Sequence, residues 1–155
     1  MVRQGVRGVI ALIVALYSMP VLSQTANFAS LNLSPGFSPS QGQVSGHTGG
    51  AYSLSSIANS DRNNDPCIGF GDPTPDHLMV LEANFPSLTI GVNTGGKDTT
   101  LLIQFPNNQI LCGDDTGSNK DASITAQNWP AGTYQIWVGA FEGGQRWDYT
   151  LTAQE

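Results

Sequence analysis

The sequence predicts an all-β protein, a β-sandwich of jelly-roll-like topology, and three observations predict it. Over residues 130–141, PAGTYQIWVGAF, the side chains alternate with a period of two. That alternation sends Tyr134, Ile136, Val138 and Ala140 to one face of a strand and Gln135, Trp137, Gly139 and Phe141 to the other. From residue 77 onward, short apolar runs are separated at every join by Gly, Pro, Asn or Asp, the residues that turns use. Beyond residue 24 no stretch keeps an apolar period of 3.6 over three turns, so helix content is expected to be low. Short strands with frequent turns pack as two facing layers.

Taken in chain order, residues 1–23 read as a secretory signal peptide. Arg3 and Arg7 precede an apolar run over residues 9–17, Pro20 breaks it, and the small residues Val21 and Ser23 fit cleavage after Ser23. A membrane anchor is the competing reading. A spanning helix needs about 20 apolar residues, and this run is roughly half that. No cysteine follows it, which argues against a lipid anchor. Residues 24–76 are rich in Ser, Gly, Asn and Pro, and SPGFSPSQG (34–42) and SGHTGG (45–50) are turn material. Leu31 and Leu33, then Tyr52, Leu54 and Ile57, offer short apolar sets for one or two strands packed on the main body, the alternative being a flexible arm.

Seven strands are expected in the sandwich domain, residues 77–155: 77–83, 87–93, 99–105, 109–113, 122–127, 133–141 and 147–153. Their inward residues name the core. Leu88, Ile90 and Val92 face Leu101, Ile103 and Phe105, with Tyr134, Ile136, Val138, Tyr149 and Leu151 completing the set between two sheets about 10 Å apart. Pro130 to Gly132 make the turn that starts the strongest strand.

Beyond residue 23 the chain is long enough for one domain with a real core and too short for two. Its basic residues are Arg62, Lys97, Lys120 and Arg146 against twelve acids, a net charge of −8. Such a surface repels phosphates, so nucleic acid is not an expected partner, whereas it suits solubility outside the cell or capture of cations. Cys67 and Cys112 both lie in the exported part, and a disulfide is expected. A metal site or a reactive thiol is the alternative, but neither cysteine has a second Cys or a His at ligand spacing.

The segments DTTLLIQFPNNQILCGDDTG (98–117) and PAGTYQIWVGAFEGGQRWDYTL (130–151) together resemble the strand, hairpin and acidic-loop unit and the closing strand pair of the bacterial pre-peptidase C-terminal domain family. These β-sandwich modules are appended to secreted proteases and other exported proteins. The resemblance covers about half the chain. The whole chain after residue 23, with LSPGFSP (33–39), the Cys67 region, PDH (75–77) and the Cys112 unit, also resembles small single-domain exported bacterial proteins without an assigned activity. No protease accompanies the module in this sequence. The family's roles in secretion, targeting or substrate binding therefore imply at most a binding or accessory function.

Four groups of residues are candidates for a site. The loop GDDTGSNKD (113–121) gathers Asp114, Asp115, Asn119 and Asp121, oxygen donors of the kind that hard cations take six to eight of, and calcium is the expected occupant if the loop is more than a solvated turn. Asp61, Asn63 and Asp65 form a second, looser calcium candidate. It is not an EF-hand, because Pro66 stands where that loop needs glycine and Asp72 where it needs a bidentate Glu. Trp137 and Phe141 share a face, and form a ligand platform if nothing covers them or ordinary core if something does. Trp129 and Trp147 are expected to be structural.

For catalysis, His47 and His77 are the only imidazoles, and neither a G-x-S-x-G elbow nor an H-E-x-x-H pair is present. Asp114 and Asp115 are adjacent, so a strand would point them apart, unlike a glycosidase pair. The sequence thus reads as a secreted or periplasmic, non-catalytic binding or accessory module for a polysaccharide or an exported protein, stabilised by calcium. The alternatives are a structural or envelope-associated protein without a small ligand and, more remotely, a hydrolase.

Overall fold

The strand that the alternation singles out is the centre of the structure. In a computed structural model that describes residues 24–155, Gly132–Ala140 hydrogen-bonds on one side to His77–Leu81 and on the other to Thr99–Gln104. The expected signal peptide, residues 1–23, lies outside the described residues. Twelve strands are described: β1 (Leu31–Leu33), β2 (Gln43–His47), β3 (Tyr52–Ser53), β4 (Phe70–Gly71), β5 (His77–Leu81), β6 (Phe85–Asn93), β7 (Thr99–Gln104), β8 (Ile110–Gly113), β9 (Asp115–Thr116), β10 (Asn119–Trp129), β11 (Gly132–Ala140) and β12 (Asp148–Gln154). A single 3₁₀ turn, Leu54–Ser56, is the only helical element among the described residues, and none is long and apolar enough to cross a membrane.

The strands form two sheets, one of seven strands and one of five. The larger holds β1, β5, β11, β7 and β8 in lateral order, with β3 and β4 extending it at the far end of β11, and the smaller runs β2, β12, β6, β10, β9. Pairing is antiparallel throughout except where β1 lies parallel to β5. The chain changes sheets repeatedly, from β5 to β6 to β7 and from β10 to β11 to β12, as jelly-roll-like sandwiches do. All seven expected strands are present, with ends shifted by a few residues.

Every expected core residue is buried between the sheets, joined there by Leu31, Leu33, Met79, Leu81, Phe85 and Trp129. Residues 24–76 are therefore not an arm. They supply β1 to the larger sheet and β2 to the smaller one, so the division at residue 76 is a change of composition and not a boundary in packing.

The larger sheet is covered on its outer face as well. Thr99 through Ile103 are all buried, so alternation on β7 no longer separates an inside from an outside. The segment after β3 explains this: Leu54 and Cys67 pack with Leu102 and Trp137 in a second apolar cluster, flanked by Ile57 and Ala58. Each large side chain so buried contributes roughly 1.5–3 kcal/mol. Gly139 permits the approach, because a Cβ there would stand 2.5 Å from the Thr100 hydroxyl and 2.9 Å from both Leu54 and the Phe70 carbonyl.

Candidate functional site

The strands run between two ends of the sandwich that differ in chemistry. At one end lie the loop between β6 and β7 and the residues that follow β8. Asp98, Asp114 and Asp115 offer carboxylate oxygens within 4.8 Å of one another. Asp114 Oδ1 is buried without a hydrogen-bond partner, and burial, followed by the neighbouring Asp115 and Asp98 charges, pushes its carboxyl above the usual range. Lys120 Nζ donates to Asp98 Oδ2 at 2.7 Å, the one ion pair among the described residues. Asp98 in turn holds the Lys120 ammonium above its ordinary pKa.

Of the four residues expected to bind calcium, the structure thus groups Asp114 and Asp115 with Asp98 and gives the other two different work. Asp121 is buried and accepts from the Thr94 amide at 3.0 Å, the Thr94 hydroxyl and the Gly96 amide at 2.9 Å, which fixes the turn after β6. Asn119 accepts from the Asp121 amide at 3.1 Å. Asp98 is a residue that motif reading misses. The register of the β7–β8 hairpin could have found it: Leu101 opposite Gly113 and Gln104 opposite Ile110 carry Asp98 to the level of Thr116.

The other end is built from the turns 82–84, 105–109 and 128–131 together with the loop after β3. Asp61 organises that loop. Its Oδ1 accepts from the amides of Asn63 and Asp65 at 2.7 and 3.0 Å, and its Oδ2 from the Cys112 amide at 3.2 Å. The second calcium candidate is therefore a backbone clamp, its first carboxylate engaged by three N–H groups. Cys67 and Cys112 form the expected disulfide, with Cα atoms 5.3 Å apart, and bind the same loop to β8.

Clamp and disulfide together place Arg62. Its amide donates to the Ile110 carbonyl at 3.1 Å, its guanidinium carbon sits 4.9 Å from the centre of the Phe105 ring, and one terminal nitrogen donates to Gln109 Oε1 at 3.2 Å. Phe105 stacks in turn on Trp129, with ring centres 4.9 Å apart. A groove of about 610 Å3 opens here, lined by Arg62, by the edges of the buried Phe85, Phe105 and Trp129, and by Asn84, Asn107, Gln109 and Asn128. That volume lies in the range of sites for small molecules.

Of the two readings of Trp137 and Phe141, core or ligand platform, Trp137 follows the first and no shared platform forms. Trp137 is 4% exposed under Leu54 and the Cys67 segment, with its indole nitrogen donating to the Pro73 carbonyl at 3.3 Å, whereas Phe141, one residue beyond β11, is 49% exposed. Phe141 and Tyr52 are the exposed large apolar side chains among the described residues. Trp129 is fully buried and Trp147 half-buried.

His77 is buried in packing, whereas His47 is half-buried and lines a cavity with Asp72, Asp76 and Arg146. A carbonyl only accepts, so His77 Nδ1 carries the hydrogen it donates to Ala29 at 2.7 Å, which leaves Nε2 to accept from the Tyr149 hydroxyl at 2.9 Å. Burial pushes the His77 pKa down and keeps the ring neutral. His47 packs edge-on against Phe28, with centres 4.8 Å apart. Nearby, the buried Asp76 accepts from the Val138 amide at 2.8 Å and the Asn27 side chain at 3.3 Å, and burial raises its pKa to about 6.

No protein-family model matches the chain, and no curated protein matches it. Among solved structures it is similar to the pre-peptidase C-terminal domain of a collagenase from Bacillus anthracis, at 12% identity over 81% of this chain and 94% of that one, with a TM-score of 0.45. That domain is of the family whose strand units residues 98–117 and 130–151 resemble.

Proposed function

We propose that the protein is a non-catalytic module, secreted or periplasmic, that recognises a polysaccharide through the groove beside Phe105. The observation that carries this reading is the composition of the groove: aromatic edges beside four carboxamides, held in place by the Asp61 clamp and the Cys67–Cys112 bridge. Carboxamides donate and accept at once, as a hydroxyl-rich ligand requires. A protein partner would call for a broad apolar patch with aromatic anchors, and Phe141 and Tyr52 alone are a small basis for one. The disulfide supports an oxidising compartment. The engagement of both His77 nitrogens in packing supports a role other than hydrolysis.

Affinity electrophoresis against a panel of neutral and acidic polysaccharides tests the reading. Retention by at least one of them, weakened by Asn107→Ala with Gln109→Ala, is the expected result. Migration unaffected by every polysaccharide would end it in favour of a structural, envelope-associated role.

Calcium at the opposite end belongs to the same proposal, with Asp98, Asp114 and Asp115 as ligands in place of the set that includes Asn119 and Asp121. The unpartnered Asp114 oxygen among converging carboxylates supports it. Millimolar calcium should raise the thermal midpoint, and an unchanged midpoint would remove calcium from the account.

A further inference from the structure

We infer that the groove takes a carboxylate-bearing sugar unit, a uronate, with Arg62 as the group that pairs with its carboxylate. The inference rests on the polysaccharide reading and specifies the ligand of the same site.

Charge distribution carries it. The described chain holds twelve acids and four basic residues, yet none of the acids lines this groove among the described residues. Of the other cations, Lys120 is paired with Asp98, Arg146 lines a separate cavity whose lining also includes Asp72 and Asp76, and Lys97 lies in the exposed turn after β6, away from this groove. Arg62 has no carboxylate partner among the described residues, and it is exposed. Its guanidinium spends one donor on Gln109 and lies against Phe105, which leaves the rest of a rigid fork facing solvent at the groove.

A planar, singly charged acceptor matches that fork with two parallel hydrogen bonds. The position is also preorganised. The Arg62 amide is tied to β8, the preceding Asp61 holds three backbone N–H groups, and the disulfide closes the loop, so little backbone freedom remains to be lost on binding. The neighbouring carboxamides suit the ring hydroxyls of the same sugar unit, and because they are neutral Arg62 is the one charged residue in the groove lining.

Calorimetric titration with an oligogalacturonate, its fully methyl-esterified form, a neutral cello-oligosaccharide and a sulfated dextran tests the inference on the full chain. Wild type should bind the free acid, and esterification should weaken binding about tenfold or more, the scale of one charge-assisted pair. Arg62→Met keeps an aliphatic stem over Phe105 and should reduce affinity for the free acid to that of the ester, while Arg62→Lys should restore part of it. An unchanged thermal midpoint in Arg62→Met confirms that the fold is intact. Equal affinity for acid and ester, retention only of the sulfated or the neutral polymer, or indifference to Arg62→Met would overturn the uronate assignment and leave polysaccharide recognition standing. Failure to bind any of the four would instead remove polysaccharide recognition, and this inference with it.

Discussion

The two ends of the sandwich are made from the same strands, yet at one three carboxylates converge while at the other an arginine shares an acid-free groove lining with four carboxamide residues. The difference lies in how many N–H groups the backbone aims at each acid. Asp121 and Asp61 each collect three donors and have become parts of turns. Asp114 keeps one oxygen with none, beside two further carboxylates. Asp76 is intermediate, with one backbone amide and one carboxamide, and burial raises its pKa against the pull of those two hydrogen bonds. A loop rich in Asp thus serves structure or a ligand according to local donor supply, which composition alone does not reveal.

The groove end is the more costly of the two to disturb. Replacing both Cys67 and Cys112 with Ala releases a link across 45 residues and should lower unfolding free energy by about 4 kcal/mol in the chain-entropy view. Denaturant titration would measure the loss. Calcium response at the far end should survive in whatever fraction remains folded, and its disappearance would show the ends to be coupled.

Asp76 sharpens the donor-supply rule. Its folded pKa of about 6 exceeds the ordinary 3.8, so the folded state holds the proton more tightly, and the stability this contributes is present at pH 4 and lost as pH rises through 6. Asp76→Asn keeps an acceptor for the Val138 amide and should be more stable than wild type at pH 8 by up to about 3 kcal/mol, with a flatter profile between pH 4 and 7. His77 acts in the opposite sense: burial lowers its pKa, so stability falls as acid drives protonation of the unfolded chain below about pH 6.5. A stability profile of Asp76→Asn that still declines from pH 4 to 7 would place the ionising group elsewhere.

The smallest effect belongs to Lys120. Its ammonium occupies Asp98, and it is fully exposed, so Lys120→Met should leave stability in chelator nearly unchanged while enlarging the calcium-induced shift in thermal midpoint. An identical shift in the two proteins would argue that Asp98 is not a ligand.

Much of the fold was legible because its signal is local. Period-two alternation and turn residues locate seven of the eight strands from His77 onward, missing only the two-residue β9, and the inward residues so named are buried without exception. Alternation ceased to inform where both faces of a strand are covered. Trp137 looks like an outward aromatic in sequence and becomes core because Leu54 and the disulfide segment, about 70 to 80 residues earlier, lie over it. Asp98 joined Asp114 and Asp115 through hairpin register, and Arg62 reached Phe105 through a clamp and a bridge, relations of distant residues that no short motif carries. The cysteine pairing was foreseeable, since two thiols permit one partner each.

The lateral order of the sheets bears on how such a chain matures. β11 lies between β5 and β7, and β12 between β2 and β6, so both layers receive their middle members from the last quarter of the polypeptide. Neither layer can be completed before β11 and β12 are available. The sandwich would therefore condense late, all at once and slowly, as topologies dominated by distant pairings do.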